Sequence, residues 1–255
     1  MAWLQRLIGR SRYLDEDSRY AKRRNYNRKT VQLKVSSAGG NTNIVNVDWD
    51  DRDKGGGGGG FDDDDENGER LYAEYSPGTR RSMSLVDEER INYELIVDLI
   101  TLIAEDESEL GAVLVFLPGL REIQTLVEEL NRSPIAADVD RCRVLPLHSS
   151  LSPQDQQRVF ERPPRGCRKI VVATNIAETS ITIDDVVFVV DAGKAKINKY
   201  DPARRMASLV ECWVSQASVK QRTGRAGRVR PGQCFRLFSR QRHRGMDPFE
   251  TPESE

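Results

Sequence analysis

The sequence predicts an α/β chain built on a doubly wound, mainly parallel sheet, and three observations carry that prediction. Four short runs read as strands, Val113–Leu117, Arg143–Leu147, Lys169–Ala173 and Val186–Val190, of which the first is a buried apolar run and the last two are β-branched runs without polar–apolar alternation. That is the pattern of strands covered on both faces. Segments with helical spacing, Arg121–Leu130 and Pro153–Phe160, separate the first three runs, as crossover connections in a parallel sheet require. The length, 255 residues, allows one sizeable domain with a tail by the usual prior of roughly 100 to 200 residues per domain.

Taken in order, residues 1–44 are basic and weakly patterned. Residues 45–85 hold Gly55 to Gly60 followed by Asp62 to Asp65 and Glu66, too polar and glycine-rich to bury a core, so a disordered linker is expected. A domain is expected over residues 86–244. It opens on a helix whose stripe is Ile91, Leu95, Leu99 and Leu102, with Ile96 and Ile103 beside it and an acidic first turn at Asp87, Glu88 and Glu89. The βα alternation follows, and residues 245–255 read as a tail. In doubly wound sheets ligands sit at the carboxyl ends of strands, which directs attention to the loops after Leu117, Ala173 and Val190.

The formal net charge of −1 conceals a division along the chain. Residues 45–108 contain 19 acidic and 6 basic residues, whereas residues 141–244 contain 8 acidic and 21 basic. A basic domain of this kind fits nucleic acid, whose phosphates supply most of the salt-dependent affinity. The four cysteines, Cys142, Cys167, Cys212 and Cys234, form no C-x-x-C pair, so neither zinc nor a disulfide framework is indicated. No apolar run approaches the roughly 20 residues of a membrane span. A reducing compartment, cytoplasmic or nuclear, and no membrane partner are the expectation.

The loops carry the chemistry-bearing strings. After the first strand, F-L-P-G-L turns at Pro118 and Gly119 and is expected to expose backbone N–H groups at a helix start, where a phosphate can bind. Pro-Gly turns of this kind are also common for structural reasons alone. After Ala173 comes T-N-I-A-E-T-S-I-T-I-D, from Thr174 to Asp184, whose short hydroxyl and amide groups can bond sugar and phosphate oxygens. The same string reads equally as an N-cap at Thr174 or Asn175 with Glu178 in the first turns. Finally, Q-R-T-G-R-A-G-R-V-R-P-G spans 221–232. If helical, it places Gln221, Arg225 and Arg228 at i, i+4 and i+7 on one face, with slim glycines between, an arrangement suited to a triphosphate. A solvated basic helix is the bland alternative.

In that order and combination, the three strings resemble motifs IV, V and VI of superfamily 2 helicases. Over about residues 85–240 the chain is similar to the second RecA-like domain of the DEAH-box/RNA helicase A (DExH) family. The wording G-A-V-L-V-F-L-P-G-L and R-K-I-V-V-A-T-N-I-A-E-T-S-I-T-I is most similar to the translation-initiation helicase branch. The resemblance implies an inserted β-hairpin between motifs V and VI, at Lys194–Trp213. It also implies roles, residue by residue. Gln221 helps place the attacking water and Arg225 and Arg228 act as arginine fingers, while Arg222 is structural. Thr174 and Asn175 touch the RNA backbone, Thr179 and Ser180 relay nucleotide state, and Asp184 meets the ribose. Gly119 and Leu120 give a further RNA contact. Phe160, in Q-Q-R-V-F, stacks on adenine, although a core phenylalanine fits the same spacing. Lys194, Lys196 and Lys199, with Arg204 and Arg205 around Tyr200, offer phosphate contacts and a stacking aromatic for single strands. His148 matches a position without a catalytic role, where a lone histidine usually satisfies local hydrogen bonds.

Neither G-x-x-x-x-G-K-[ST] nor D-E-x-H occurs in the sequence. The resemblance therefore implies ATP with Mg²⁺ held mainly by a first RecA-like domain, in cis or in trans, that residues 1–44 would follow. RNA, and in the initiation branch the ribosome, are the implied partners. Two readings stand at this stage: half of an ATP-dependent RNA helicase, without turnover alone, and a catalytically inactive RNA-binding or regulatory protein on the same fold.

Overall fold

The computed structural model describes residues 31–36, 42–47, 87–106, 111–201 and 206–250. The glycine- and acid-rich stretch, Arg204 and Arg205 lie outside these residues, as do the side chains of Lys199 and Tyr200. The chain divides into two compact units, Met1–Asp87 and Glu88–Glu255. In the first, β1 (Val31–Ser36) and β2 (Thr42–Val47) form an antiparallel pair, a hairpin the sequence reading did not anticipate.

The second unit is built on a five-stranded, wholly parallel sheet. Its order is β4 (Cys142–Leu147), β5 (Arg168–Ala173), β3 (Ala112–Phe116), β6 (Val186–Asp191) and β9 (Gln233–Arg236). The three central strands are buried along their whole length, which explains their unbroken apolar wording. Strand β9, Q-C-F-R, carries too little apolar signal to be read from sequence.

Helix α1 (Tyr93–Glu105) presents the expected stripe, with Leu95, Ile96, Leu99, Leu102 and Ile103 buried. It does not start from the acidic triplet. Asn92 is the N-cap, and its side chain accepts from the Leu95 N–H at 3.0 Å. Glu88 and Glu89 are engaged instead by the chain's far end. The Ser239 N–H donates to Glu88, and the Arg242 guanidinium reaches Glu89 at 2.6 Å.

The crossovers are α2 (Leu120–Arg132), α3 (Pro153–Gln157) with a 3₁₀ turn at Arg158–Phe160, and the short α4 (Ile176–Thr179). Between β6 and β9 the chain inserts an antiparallel hairpin, β7 (Lys194–Asp201) with β8 (Met206–Trp213), then α5 (Gln216–Thr223). A last helix, α6 (Arg240–Arg244), closes the described region. One core cluster gathers Phe116, Leu147, Val171, Ala177 and Val189 around the sheet. A second joins Ala195, Val214, Val219, Phe238 and Met246 under the hairpin base.

Candidate nucleotide and RNA interface

Helix α5 is fixed by a charge network at the carboxyl edge of the sheet. Ser218 and Arg222, at i and i+4, face inward, while Gln221 points to solvent. Arg222 Nε lies 2.9 Å from Glu178 Oε2, and Nη1 lies 2.9 Å from Asp191 Oδ1 and 3.3 Å from the Lys194 carbonyl. The guanidinium also sits 4.9 Å above the Phe116 ring. The Ser218 hydroxyl completes the contact to Glu178 at 2.5 Å. Burial works against the charge on Arg222, but Asp191 and Glu178 outweigh it and raise the pKa further. Arg222 thus locks motif VI to motif V and to the end of β6. The sequence reading had Arg222 as structural but named neither acid as its partner. The one signal for Asp191 was an acidic residue ending an otherwise apolar strand, V-V-F-V-V-D.

The continuous basic helix expected beyond Gln221 does not form. Helix α5 ends at Thr223 with Gly224 as its C-cap, and the chain continues in a tight turn through the Arg225 N–H to Arg222 O bond at 3.0 Å. Gly227 then takes φ +85°, where a glycine is favoured, and turns the chain again. Gln221 therefore stands on the last turn of α5, while Arg225 and Arg228 lie in the turn and bend that follow it, and the three do not form a helical stripe. Arg228 Nη1 donates to the Thr182 hydroxyl at 2.8 Å, joining motifs VI and V. Arg225 is half-buried, and its Nε and Nη1 are buried with no hydrogen-bond partner. Its pKa is lowered, first by burial and then by Arg228, with Glu178 opposing. Two unsatisfied cationic donors suit an incoming anion.

In motif V, Thr174 is half-buried at the end of β5, and its N–H donates to Leu147 O at 3.1 Å. Asn175 takes the N-cap position of α4 but makes no capping bond with its side chain, which is exposed. Thr179 and Ser180 are exposed with hydroxyls 3.5 Å apart. Asp184 is exposed as well. Phe160 ends the 3₁₀ turn and is 51% exposed as a residue, whereas its neighbour Val159 is fully buried. The core alternative for Phe160 is therefore not realised.

The motif IV turn departs from expectation. Gly119 is buried, and a Cβ there would fall 2.8 Å from Glu122 Oε2 and 3.0 Å from Lys196 Nζ. Lys196 pairs with both oxygens of Glu122 at 2.8 Å, so a salt bridge lies over the turn expected to offer open amides. Leu120 beside it is 41% exposed. Lys194 is corrected more firmly. It is 5% exposed, its Nζ bonds the Glu89 carbonyl and Glu211 Oε1, and it lies 4.9 Å from the Trp213 ring centroid. That ammonium anchors the hairpin base and is not presented to a ligand. His148 also differs, since its Nδ1 is buried without a hydrogen-bond partner.

All four cysteines are free. Among the described residues no group of three or more His, Cys, Asp or Glu could hold a metal, and no helix is long and apolar enough to cross a membrane. The arrangement fits the anionic part of a nucleotide, through Arg225, and among the described residues it brings no cluster of Mg²⁺ ligands to that site.

Residues 92–230 match the family model of the helicase conserved C-terminal domain. The chain is 51% identical over 164 residues to the chloroplastic DExH-box ATP-dependent RNA helicase DExH4 of Arabidopsis thaliana, covering 64% of this chain and 12% of that protein. It is 48% identical over 186 residues to the ATP-dependent RNA helicase DHX29 of Homo sapiens, covering 72% of this chain and 14% of that protein. The solved structure of the Escherichia coli DExH-box NTPase HrpB superposes with a TM-score of 0.56 at 34% identity, covering 66% of this chain and 20% of that one. The chain thus spans only a small part of the length of these relatives. With motifs IV, V and VI on successive loops of a RecA-like sheet, the chain belongs to the helicase conserved C-terminal domain family, in its DEAH-box/RNA helicase A (DExH) branch.

Proposed function

We propose that this chain is the arginine-finger half of an ATP-dependent RNA helicase, acting on a triphosphate cradled by a first RecA-like domain. The observation that carries the reading is Arg225, half-buried with two unpartnered guanidinium nitrogens beside Arg228. Arg222 holds the supporting helix rigid, Arg228 is steadied on Thr182, and Gln221 faces outward where it can orient a water. Guanidinium donors placed before the reaction stabilise the charge that develops on the transferring phosphoryl group. Phe160 and Asp184 would take the adenosine, and Thr179 would respond to its phosphates. ATP brings Mg²⁺, for which no cluster of three or more acids, histidines or cysteines is found among the described residues; a first RecA-like domain would supply its ligands, and the ion would neutralise phosphate charge from that side.

Thr174, Asn175, Gly119 and Leu120 would track the RNA backbone at the carboxyl edge of the sheet. Lys196, Lys199 and Tyr200 would extend that groove along the hairpin, with Lys196 released from Glu122. A ribosomal partner belongs to the same proposal, through the initiation-helicase wording.

The test is RNA-stimulated ATP hydrolysis by the full chain together with the first RecA-like domain. Replacing Arg225 or Arg228 with alanine is expected to lower the rate constant by about 10³. Binding of a single-stranded oligonucleotide, followed by anisotropy, is expected to weaken with salt and on replacing Asn175 or Lys199. Hydrolysis indifferent to both arginines, with RNA binding intact, would favour the RNA-binding or regulatory reading.

A further inference from the structure

Lys169 is a lysine where the core needs none. It stands on β5 before Ile170, Val171, Val172 and Ala173, all fully buried, and its own side chain is 1% exposed. An ammonium is costly to bury unless each N–H finds an acceptor. Here all three do. Nζ donates to Val159 O at 2.6 Å and to Glu161 O at 3.1 Å, and pairs with Asp185 Oδ1 at 2.9 Å.

The acceptors come from two separate segments, and each segment carries a residue of the proposed nucleotide site. The Val159 and Glu161 carbonyls bracket Phe160, a half-exposed residue. Asp185 follows directly on the exposed Asp184. Lys169, Asp184, Asp185 and Arg162 line one cavity of about 800 Å³, a volume in the range of small-molecule sites, and Phe160 stands outside its lining. A single buried ammonium thus ties the turn that displays the aromatic to the turn that displays the carboxylate.

We propose that Lys169 is the positioning residue of an adenosine subsite, holding Phe160 and Asp184 at a fixed separation; the inference rests on the nucleotide reading above. Lys169 itself need not touch the ligand. Its effect falls on the nucleoside and not on the phosphates, which separates positioning from general support of the fold.

The experiment compares the affinities of ATP and inorganic tripolyphosphate for the full chain paired with the first RecA-like domain, by titration calorimetry. Lys169→Met is expected to weaken ATP about tenfold, the size of a lost base–aromatic stack, and to leave tripolyphosphate within twofold. Phe160→Ala is expected to do the same, and the double variant to lose no more than either single one. Asp185→Asn, which leaves the β5 packing intact, is expected to weaken ATP about threefold without affecting tripolyphosphate; it carries the test alone if Lys169→Met does not fold. Equal weakening of both ligands, or ATP unchanged by the Lys169 and Asp185 variants while Phe160→Ala weakens it, would overturn the role of Lys169. ATP affinity unchanged by Phe160→Ala and Asp184→Ala would instead sink the adenosine reading.

Discussion

The Arg222 guanidinium lies 2.9 Å from Glu178, with the two side chains only 1% and 7% exposed, and this contact joins motif VI to motif V through the protein interior. Charges so placed depend on one another, because neither can be solvated if its partner is removed. Arg222→Met is therefore expected to lower stability by about 3–5 kcal/mol, leaving Glu178 and Asp191 facing each other without a cation. Urea denaturation checks this, and a loss under 1 kcal/mol would contradict it.

Arg225 is expected to behave in the opposite way. Two buried donors without partners cost stability in the unliganded state, so Arg225→Met should raise stability by about 1 kcal/mol. The same variant should abolish the nucleotide response. Parallel denaturation curves with and without nucleotide test both halves, and a destabilised variant would show that Arg225 is satisfied in the free protein.

Gly193 connects β6 to the hairpin at φ +71°, and its N–H donates to Asp191 Oδ1 at 2.8 Å. A Cβ there would sit 2.5 Å from the Phe238 ring, which packs edge-on to Trp213. Gly193→Ala combines left-handed backbone strain with a clash in the hairpin-base core. A cost of about 2 kcal/mol or more in thermal unfolding is expected.

The thiols of Cys142, Cys167 and Cys234 are all pushed up from the ordinary 9.0, in each case chiefly by burial. Thiolate is then scarce at neutral pH, and alkylation should be slow in the native protein. Mass-spectrometric labelling at pH 7.5 is expected to leave the buried Cys142 unmodified longest, with the full rate reached only above the ordinary thiol range. Rapid native labelling of Cys142 would contradict its placement.

Gly119→Ala probes the motif IV turn. The added methyl would press on the far ends of Glu122 and Lys196, which are flexible, so the fold should hold while their salt bridge is displaced. Oligonucleotide affinity is the readout, and a change of a few-fold with an unchanged melting temperature is the expected result.

The strands β3, β5 and β6 were legible from residue order alone, because a strand buried on both faces has no choice but to be apolar throughout. The stripe of α1 was legible for the same reason, although its start was not: Asp87 to Glu89 look like a first turn, and only the distant Ser239 and Arg242 claim Glu88 and Glu89. Motif order likewise identified the family before any coordinate did. Short-range pattern could not supply the rest. The burial of Lys194 and the pairing of Lys196 with Glu122 depend on partners far along the chain. The three acceptors of Lys169 likewise come from separate turns on either side of its strand. Sequence determines which groups can carry charge, stack or bury, since those are properties of single residues and their local spacing. Which cation is neutralised and which is left unsatisfied for a ligand is decided by tertiary contact, because pairing energies depend on distance and burial that no local pattern encodes.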